Sequence, residues 1–326
     1  MPRIAFYDTK KYDEEYFEKV EHPGITFKYL ENKLNSDTVE LARGCDGVCA
    51  FVHDVIDEET IDKLVNYNIG IVAMRCAGYN NIDLKKAKDK IKVVRVPGYS
   101  PYAVAEHAMG LLLCLNRKIH KAYFRTRDYN FSLNNLAGFD LHGRTVGVMG
   151  TGKIGRVFID ICKGFGMDVI AYDPYPIQGS NIKYVSKEEL FRTSDIISLH
   201  CPLTEETKYI INEDTLAMMK DGVFIINTSR GSLIESEALY EAIKKGKVGA
   251  AGLDVYEEES EIFFEDFSNT IISDDVLKLF LSLPNVLITS HQAFLTADAL
   301  INIAECTINN INAYFNGEKL ENEISY

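Results

Sequence analysis

Three residues whose side chains could bind an anion and move a proton lie in the second half of the chain. Arg230, Glu259 and His291 each follow an apolar segment that is typical of a buried β-strand. A guanidinium can hold a carboxylate through two parallel hydrogen bonds. An imidazole beside a carboxylate can give and take a proton. Taken singly, each residue is more typical of a surface ion pair, a solvated acidic loop or a structural histidine.

A glycine-rich turn precedes these residues and predicts a nucleotide site. Gly150, Gly152 and Gly155 stand between an apolar run and a helical stretch. In such a turn the first glycine allows the bend, the second lets phosphate approach the backbone, and the third lets the helix pack on the strand. Asp173 ends the next strand, where a carboxylate binds the adenosine ribose and repels a 2′-phosphate, which favours NAD over NADP.

The two sets of residues together predict hydride transfer between a nicotinamide and a 2-keto acid. The new alkoxide needs a proton, which His291 as imidazolium could donate, and Glu259 beside it would stabilise the charged ring. The acidic run at residues 257–261 leaves open which glutamate turns toward the histidine.

The first hundred residues alternate strand and helix signals. Strands are predicted at residues 4–7, 47–51, 69–74 and 92–96, with an amphipathic helix at 58–67 that turns Ile61, Leu64 and Val65 toward the core. Two prolines and a glycine at 97–101 interrupt this pattern and could act as a hinge. One long helix is predicted after them, at about 103–123.

A second βα series follows and indicates a doubly wound nucleotide-binding sheet of six strands. The predicted strands are residues 146–149, 168–172, 196–200, 223–227, 250–254 and 286–289. Helices are predicted at residues 154–165, 212–219, 235–244 and 297–315. The fold class is therefore α/β with two lobes, each a mainly parallel sheet. We expect a Rossmann-type NAD-binding domain at 101–296 and a discontinuous, flavodoxin-like substrate domain at 1–100 plus 297–326.

Net charge, the length of the apolar runs and the cysteines indicate which binding partners and which cellular compartment to expect. The formal net charge of −13 over 326 residues disfavours nucleic acid and anionic lipid surfaces. The apolar runs are too short to span a bilayer, and residues 1–8 read as a strand rather than a signal peptide. The seven cysteines are predicted to be reduced core residues of a cytoplasmic protein. Cys45 and Cys49 lack a second pair, so no metal site is predicted.

Five segments resemble the D-isomer-specific 2-hydroxyacid dehydrogenase family, and within it the branch that reduces pyruvate to D-lactate. They are residues 150–155, 200–204, 227–231, 252–257 and 285–291, and the resemblance covers essentially the whole chain. It implies that Arg230 binds the substrate carboxylate and that His291 is the acid/base. The family pattern Asp-Val-Tyr-Glu-x-Glu selects Glu259 as its partner. The implied NAD contacts, besides the glycine turn, are Lys153, Ile154, Asp173, Cys201, Pro202, Thr207, Thr228, Ser229, Arg230 and Asp254.

The resemblance also places the substrate pocket partly in the first domain. Ala77 and Gly78 match a loop whose amides hold the carboxylate, and Phe51, Tyr99 and Phe294 match positions that line the substrate side chain. Three aromatic rings around a small volume favour a methyl group, hence pyruvate, although the same residues could be ordinary core. The alternatives are a dehydrogenase for broader or longer 2-keto acids and, more remotely, an NAD(H)-sensing binding protein. Relatives pair through the long helix, which implies a homodimer.

Overall fold

The computed structural model describes residues 1–259 and 262–324 and divides the chain into two compact units. The first unit contains Met1–Ser100 together with the segment that starts at Phe294, and the second contains Pro101–Ala293. The second boundary thus falls at 293, where the sequence analysis expected 296. The role of each unit as a substrate or cofactor domain stays a prediction.

The first unit is built on a five-stranded parallel sheet with the order β2-β1-β3-β4-β5. Its strands are β1 (Arg3–Phe6), β2 (Thr26–Tyr29), β3 (Gly47–Ala50), β4 (Ile71–Met74) and β5 (Lys92–Arg95). Its helices, numbered along the chain, are α1 (Lys11–Phe17), α2 (Glu58–Asn66), α3 (Leu84–Ala87) and α11 (Ala297–Phe315), with a 3-10 turn at Val39–Ala42. This strand order is that of flavodoxin-like sheets. Helix α11 packs against α1 and β4.

Two features of the first unit differ from the sequence prediction. The edge strand β2 was not predicted, because its residues are half exposed and lack a buried apolar run. Val65 was expected in the core, but it is 37% exposed. The buried stripe of α2 contains Thr60, Ile61 and Leu64, and Val65 lies at its margin.

The second unit is built on a seven-stranded parallel sheet with the order β12-β11-β10-β9-β6-β7-β8. Its strands are β6 (Thr145–Met149), β7 (Asp168–Tyr172), β8 (Lys183–Tyr184), β9 (Ile196–Leu199), β10 (Val223–Asn227), β11 (Val248–Leu253) and β12 (Val286–Ile288). Its helices are α4 (Pro101–Arg117), α5 (Ile119–Arg127), α6 (Lys153–Gly164), α7 (Lys187–Thr193), α8 (Glu213–Met218), α9 (Ser236–Lys244) and α10 (Asp275–Ser282), with a 3-10 turn at Gly231–Leu233. The α/β fold with two parallel sheets is confirmed.

The number of strands and the long helix after Pro101 need correction. The predicted six strands are seven, because β8 is only two residues long and gives no periodic signal. The single helix expected at 103–123 is two helices. Lys118 takes a left-handed conformation, φ 52°, which ends α4 and starts α5 in a new direction.

The sheet of the second unit is buried on both faces. Neighbouring residues of β10 show this, because Ile225 and Ile226 belong to two different clusters of buried side chains. Successive residues of a strand point to opposite faces, so each face has its own apolar layer. This explains why the strands read as continuous apolar runs in the sequence.

Neither a disulfide nor a cluster of metal ligands occurs within residues 1–259 and 262–324. All seven cysteines are free thiols, with Cys114 and Cys306 half-buried and the others buried. Within those ranges no three His, Cys, Asp or Glu side chains cluster in a way that could hold a metal ion. Nor does any helix there combine the length and apolarity that crossing a bilayer requires.

Candidate active site

The glycine turn after β6 leaves a helix N-terminus open for an anion. Gly150 has φ 93°, and a Cβ there would lie 2.7 Å from the backbone of His200 and Cys201. A Cβ on Gly155 would lie 2.0 Å from the Gly150 carbonyl oxygen, so both positions require glycine. A Cβ on Gly152 would meet nothing within 4 Å, and this residue caps α6 without a side-chain hydrogen bond. The unpaired amides of α6 suit a phosphate group.

His200 supports this turn from the neighbouring strand. Its imidazole lies 4.9 Å from the ring of Phe158 and its Nε2 lies 2.9 Å from the Ser198 hydroxyl. Burial lowers the pKa of His200 to about 3, so its ring stays neutral at physiological pH. His200 belongs to the predicted family segment 200–204, but its contact with the glycine turn was not predicted.

Asp173 lies beside the glycine turn at the end of β7. Its Oδ2 accepts hydrogen bonds from the Thr151 amide at 2.7 Å and the Thr151 hydroxyl at 3.0 Å, and its Oδ1 accepts one from the Tyr175 amide at 2.9 Å. The Tyr184 hydroxyl lies 3.0 Å from that of Thr151. A carboxylate at this place suits a ribose diol. Thr151 and Tyr184 were not predicted, and Tyr184 comes from the short strand β8 that the sequence analysis missed.

The remaining predicted cofactor residues line the loops after β9 and β10. Ser229 Oγ donates to the Cys201 carbonyl at 2.6 Å, and Thr207 Oγ1 donates to the Pro202 carbonyl at 2.7 Å, so these side chains hold the two loops in shape. Burial raises the pKa of the Cys201 thiol to about 11, which keeps it protonated.

Two features of the second unit fit the cofactor that the sequence predicts. The Thr228 hydroxyl is buried and has no hydrogen-bond partner among the described residues. An unsatisfied buried hydroxyl is costly, and a polar ligand would satisfy it. The open cradle at Gly152, with Lys153 and Ile154 as the first helical residues, would accept a diphosphate. The residues present therefore fit a dinucleotide.

Arg230 is held at the carboxyl end of β10. Its carbonyl accepts a hydrogen bond from Asn227 Nδ2 at 2.9 Å, and its own Nη1 donates to the Ser229 carbonyl at 2.7 Å. The next residue must be glycine, because a Cβ on Gly231 would lie 2.0 Å from the Tyr256 carbonyl oxygen. The loops after β10 and β11 therefore touch directly.

His291 and Glu259 form a hydrogen-bonded pair. His291 Nδ1 lies 2.7 Å from Glu259 Oε1, and Glu259 Oε2 accepts the Tyr256 amide at 2.8 Å. The two side chains are 20% and 16% exposed. Glu257 is engaged elsewhere, since it accepts hydrogen bonds from the Tyr209 hydroxyl and from the Ser236 amide. The structure thus pairs the histidine with the glutamate that the family pattern selected.

Arg230, Glu259 and His291 follow three neighbouring strands. Strand β10 pairs with β11, and β11 pairs with β12, all in parallel. The carboxyl ends of parallel strands lie along one edge of the sheet, where ligands bind in open α/β folds. The arrangement can therefore present a guanidinium and a carboxylate–imidazole pair along one edge.

Asp254 is a predicted NAD contact whose carboxylate is hydrogen-bonded within the protein. Its carboxylate is fully buried. It accepts hydrogen bonds from the Thr289 hydroxyl at 2.5 Å, the Gln292 amide at 2.9 Å and the Ala293 amide at 2.8 Å. Asp254 therefore organises the loop that carries His291, and its contact with a nicotinamide stays a prediction.

In the first unit, the predicted side-chain pocket is an aromatic cluster centred on Phe294. The centre of the Phe294 ring lies 6.1 Å from the ring centre of Phe51, 6.3 Å from that of Tyr99 and 6.5 Å from that of Tyr12. Tyr12 was not predicted, because an aromatic residue on an exposed-looking helix carries no distinctive signal. Burial raises the pKa of Tyr12, so its hydroxyl stays protonated.

A buried arginine packs against one member of this aromatic cluster, Phe51. The Arg75 guanidinium is stacked between Phe6 and Phe51, at 4.6 and 4.4 Å from their ring centres. Its Nη1 donates to the Tyr7 carbonyl at 3.0 Å, and its Nε lies 3.4 Å from Asp13 Oδ1. Phe51 is therefore fixed by an ion-paired cation and is not a loosely packed core residue.

The predicted carboxylate-binding loop follows β4 in the same unit. The Ala77 carbonyl accepts from Arg95 Nη1 at 2.8 Å, and the Gly78 carbonyl lies 3.3 Å from the Cys76 thiol. Both residues are half-buried. Their carbonyls are engaged within the protein, and the use of their amides for substrate stays a prediction.

The chain is similar to known proteins along its whole length. Residues 109–293 match the family model described as D-isomer specific 2-hydroxyacid dehydrogenase, NAD binding domain. A 2-hydroxyacid dehydrogenase homolog from Haemophilus influenzae is 50% identical over 325 residues, 98% of each chain. D-lactate dehydrogenase from Escherichia coli is 48% identical over 327 residues, 99% of each chain. The apo structure of D-lactate dehydrogenase from Escherichia coli superposes with a TM-score of 0.91 at 46% identity, covering 99% of this chain and 100% of that one.

Proposed function

Because the chain belongs to the D-isomer-specific 2-hydroxyacid dehydrogenase family, we propose that it is an NAD-dependent D-lactate dehydrogenase that reversibly reduces pyruvate. The observation that supports this most is the His291–Glu259 pair at 2.7 Å, which joins the segments that follow β11 and β12, while Arg230 follows the neighbouring strand β10. That combination supplies a proton and an anion-binding group at one sheet edge, as reduction of a 2-keto acid requires.

The acid–base step is assigned to His291. Its Nδ1 is bonded to Glu259, which orients the ring and leaves Nε2 for the substrate oxygen. In the reduction, the protonated ring gives its Nε2 proton to the oxygen of the carbonyl carbon that receives hydride. In the oxidation, the neutral ring removes the hydroxyl proton. Bound NADH supplies the hydride, and the cradle at Gly152 with the Thr228 hydroxyl would hold it.

Binding of the substrate carboxylate is assigned to Arg230. Its guanidinium can form two parallel hydrogen bonds to a carboxylate and draw electron density from the adjacent keto group. One nitrogen donates to the Ser229 carbonyl, which steadies the side chain and leaves other N–H groups for substrate. The amides of Ala77 and Gly78 are proposed as further donors to the same carboxylate.

The aromatic cluster is proposed to receive the substrate side chain. The ring centres of Phe51, Tyr99 and Tyr12 lie 6.1 to 6.5 Å from that of Phe294, and we propose that a cluster this close suits a methyl group. We therefore expect a higher kcat/KM for pyruvate than for 2-ketoisocaproate, by about 10-fold or more. A preference for the branched acid would leave the reaction class intact and select the alternative of a dehydrogenase for longer 2-keto acids.

The proposed function is tested by NADH oxidation with a panel of 2-keto acids and chiral analysis of the product. D-lactate as the main product from pyruvate is the expected result. Turnover of none of the acids, with NADH still bound, would select the NAD(H)-sensing binding protein instead. L-lactate as the product would contradict the proposal outright.

We also propose a cytoplasmic homodimer. Seven free cysteines fit a reducing compartment. The dimer is proposed to form through α4, α5 and the segment after them, which exposes large apolar side chains.

A further inference from the structure

The loop that carries His291 is wound around a single buried carboxylate. Asp254 Oδ1 accepts the Thr289 hydroxyl and the Gln292 amide, and Oδ2 accepts the Ala293 amide. The Asp254 carbonyl accepts the His291 amide at 2.7 Å. His291 itself has φ 51°, a left-handed conformation that costs free energy in a residue with a side chain. The position of the proposed acid/base therefore depends on what fixes Asp254.

A second histidine reaches this carboxylate from α4. His107 Nε2 lies 3.1 Å from Thr289 Oγ1 and 3.3 Å from Asp254 Oδ1. Thr289 donates its hydroxyl proton to Asp254, so its oxygen is free to accept a hydrogen bond. With its proton on Nε2, His107 donates to the Thr289 oxygen and lies close to the Asp254 carboxylate.

The fold brings His107 to this place through close packing of α4 on β11. A Cβ on Gly252 would lie 3.0 Å from Leu115 Cδ1 and 3.1 Å from Leu111 Cβ, so the helix could not sit as near to a larger residue. Among the described residues, His107 supplies the one Lys, Arg or His nitrogen recorded within 4.0 Å of the Asp254 carboxylate.

We propose that His107 is a positioning residue for the acid–base step. Its Nε2–H donates to Thr289 Oγ1 and keeps the Thr289 hydroxyl directed at Asp254. This hydrogen bond stabilises the conformation of the loop from Thr289 to Ala293 in which His291 contacts Glu259. His107 does not touch substrate in this mechanism, and it acts through the loop. The inference rests on the proposed function of His291 and adds a residue that lies on a different element.

Two substitutions separate positioning from general stability. His107→Leu removes the donor, whereas His107→Gln keeps an N–H near the position of Nε2. We expect His107→Leu to lower kcat for pyruvate by about 10- to 100-fold, as a small misplacement of a catalytic group does, while Kd for NADH changes by less than about 3-fold. His107→Gln should restore kcat to within about 3-fold of the wild type. Glu106→Gln, exposed on the same helix, serves as the control and should leave kcat unchanged.

A spectroscopic measurement tests the inference even if the proposed function fails. In protein labelled with ¹⁵N-histidine, the ring signals of His291 are identified by their loss in His291→Gln. His107→Leu should shift or broaden them, and His107→Gln and Glu106→Gln should not. If the wild type reduces no 2-keto acid, the proposed function fails, and these signals alone decide the role of His107. Wild-type kcat and unchanged His291 signals in His107→Leu would overturn the inference. So would equal losses of kcat in the Leu and Gln variants that track a common fall in Tm.

Discussion

At the scale of single residues, His291, the proposed acid/base, is held in one left-handed conformation by its surroundings. Its amide, its Nδ1 and its backbone conformation are all fixed by the loop around Asp254 and by Glu259. One ring nitrogen is left for chemistry. We therefore expect His291→Gln to lower turnover by about 10²- to 10⁴-fold, because the side-chain amide cannot transfer the proton. Stopped-flow reduction of pyruvate measures the turnover, and NADH fluorescence measures binding, which should change by less than about 3-fold.

The control for this substitution is another histidine of the same unit. His142 is exposed, and His142→Gln should leave both turnover and NADH binding near the wild-type values. A parallel fall in turnover and in NADH affinity in His291→Gln would show that this residue supports the fold of the site and does not act as the acid/base.

Asp173 is the residue on which we expect the choice between NAD and NADP to depend. A carboxylate beside the glycine turn disfavours a 2′-phosphate by charge repulsion. We expect Asp173→Ser to raise the ratio of kcat/KM with NADPH to that with NADH by about 10-fold or more. The carboxylate also holds Thr151, so Thr151→Val is the matched control for loosening of the turn alone. An equal rise in this ratio in both variants would remove charge as the cause.

At the scale of elements, one buried carboxylate links the loop after β2 to the loop after β3. Asp54 accepts the Leu34 amide at 2.6 Å and the Phe51 amide at 2.5 Å. Burial raises the pKa of Asp54 to about 7, against the opposing effect of Arg75. In the unfolded chain, an Asp side chain has a pKa of about 3.9. As the pH rises, the folded state therefore keeps the Asp54 proton after the unfolded state has lost it. Asp54 therefore makes the free energy of unfolding fall as pH rises from about 4 to about 7.

This pH dependence is measurable by denaturant unfolding of the wild type and of Asp54→Asn. The variant carries no charge at this position, so the difference between the two proteins isolates the titration. We expect the wild type to lose about 2.5 kcal/mol relative to the variant between about pH 5 and about pH 8. Asp37→Asn, an exposed substitution in the same unit, should show no such trend. A difference that is constant over this range would contradict the buried titration.

The elements also show what the sequence could and could not predict. Strands β7 and β10 have the predicted bounds, because each is a largely apolar run between turn signals. Strand β8 escaped prediction since two residues give no period. The end of α4 was not predicted either, because Lys118 is a good helix former and its residue type does not indicate a left-handed conformation.

The residues of the candidate site also fall into two groups, those that the sequence predicted and those that it did not. Arg230 and His291 were predicted because they follow apolar strands and because their combination with a carboxylate suggests one chemistry. Glu259 needed the family pattern, since its neighbours have the same chemistry. Tyr12 and His107 lie on helices, and only the fold brings them to Phe294 and Asp254. Side chains that approach a site from another element leave no trace in local spacing.

At the scale of the whole molecule, the second unit exposes large apolar side chains, which indicate a protein–protein interface. The segment after α5 exposes Phe131 at 70% and Leu133 at 81%, close in sequence to exposed Tyr123, Phe124 and Tyr129. Monomeric proteins rarely leave such clusters of large apolar side chains in water. In the proposed homodimer, two copies of this surface would bury each other.

Two charges on this surface should separate the subunits. Phe131→Glu combined with Leu133→Glu would place like charges and unpaired carboxylates in the contact, so we expect sedimentation to show a dimer for the wild type and a monomer for the variant. Ile271→Glu is the control, because Ile271 is 90% exposed in the same unit but lies far along the chain from this segment. It should remain dimeric. A wild type that sediments as a monomer would contradict the proposed homodimer, and a doubly charged variant that stays dimeric would move the contact to another surface.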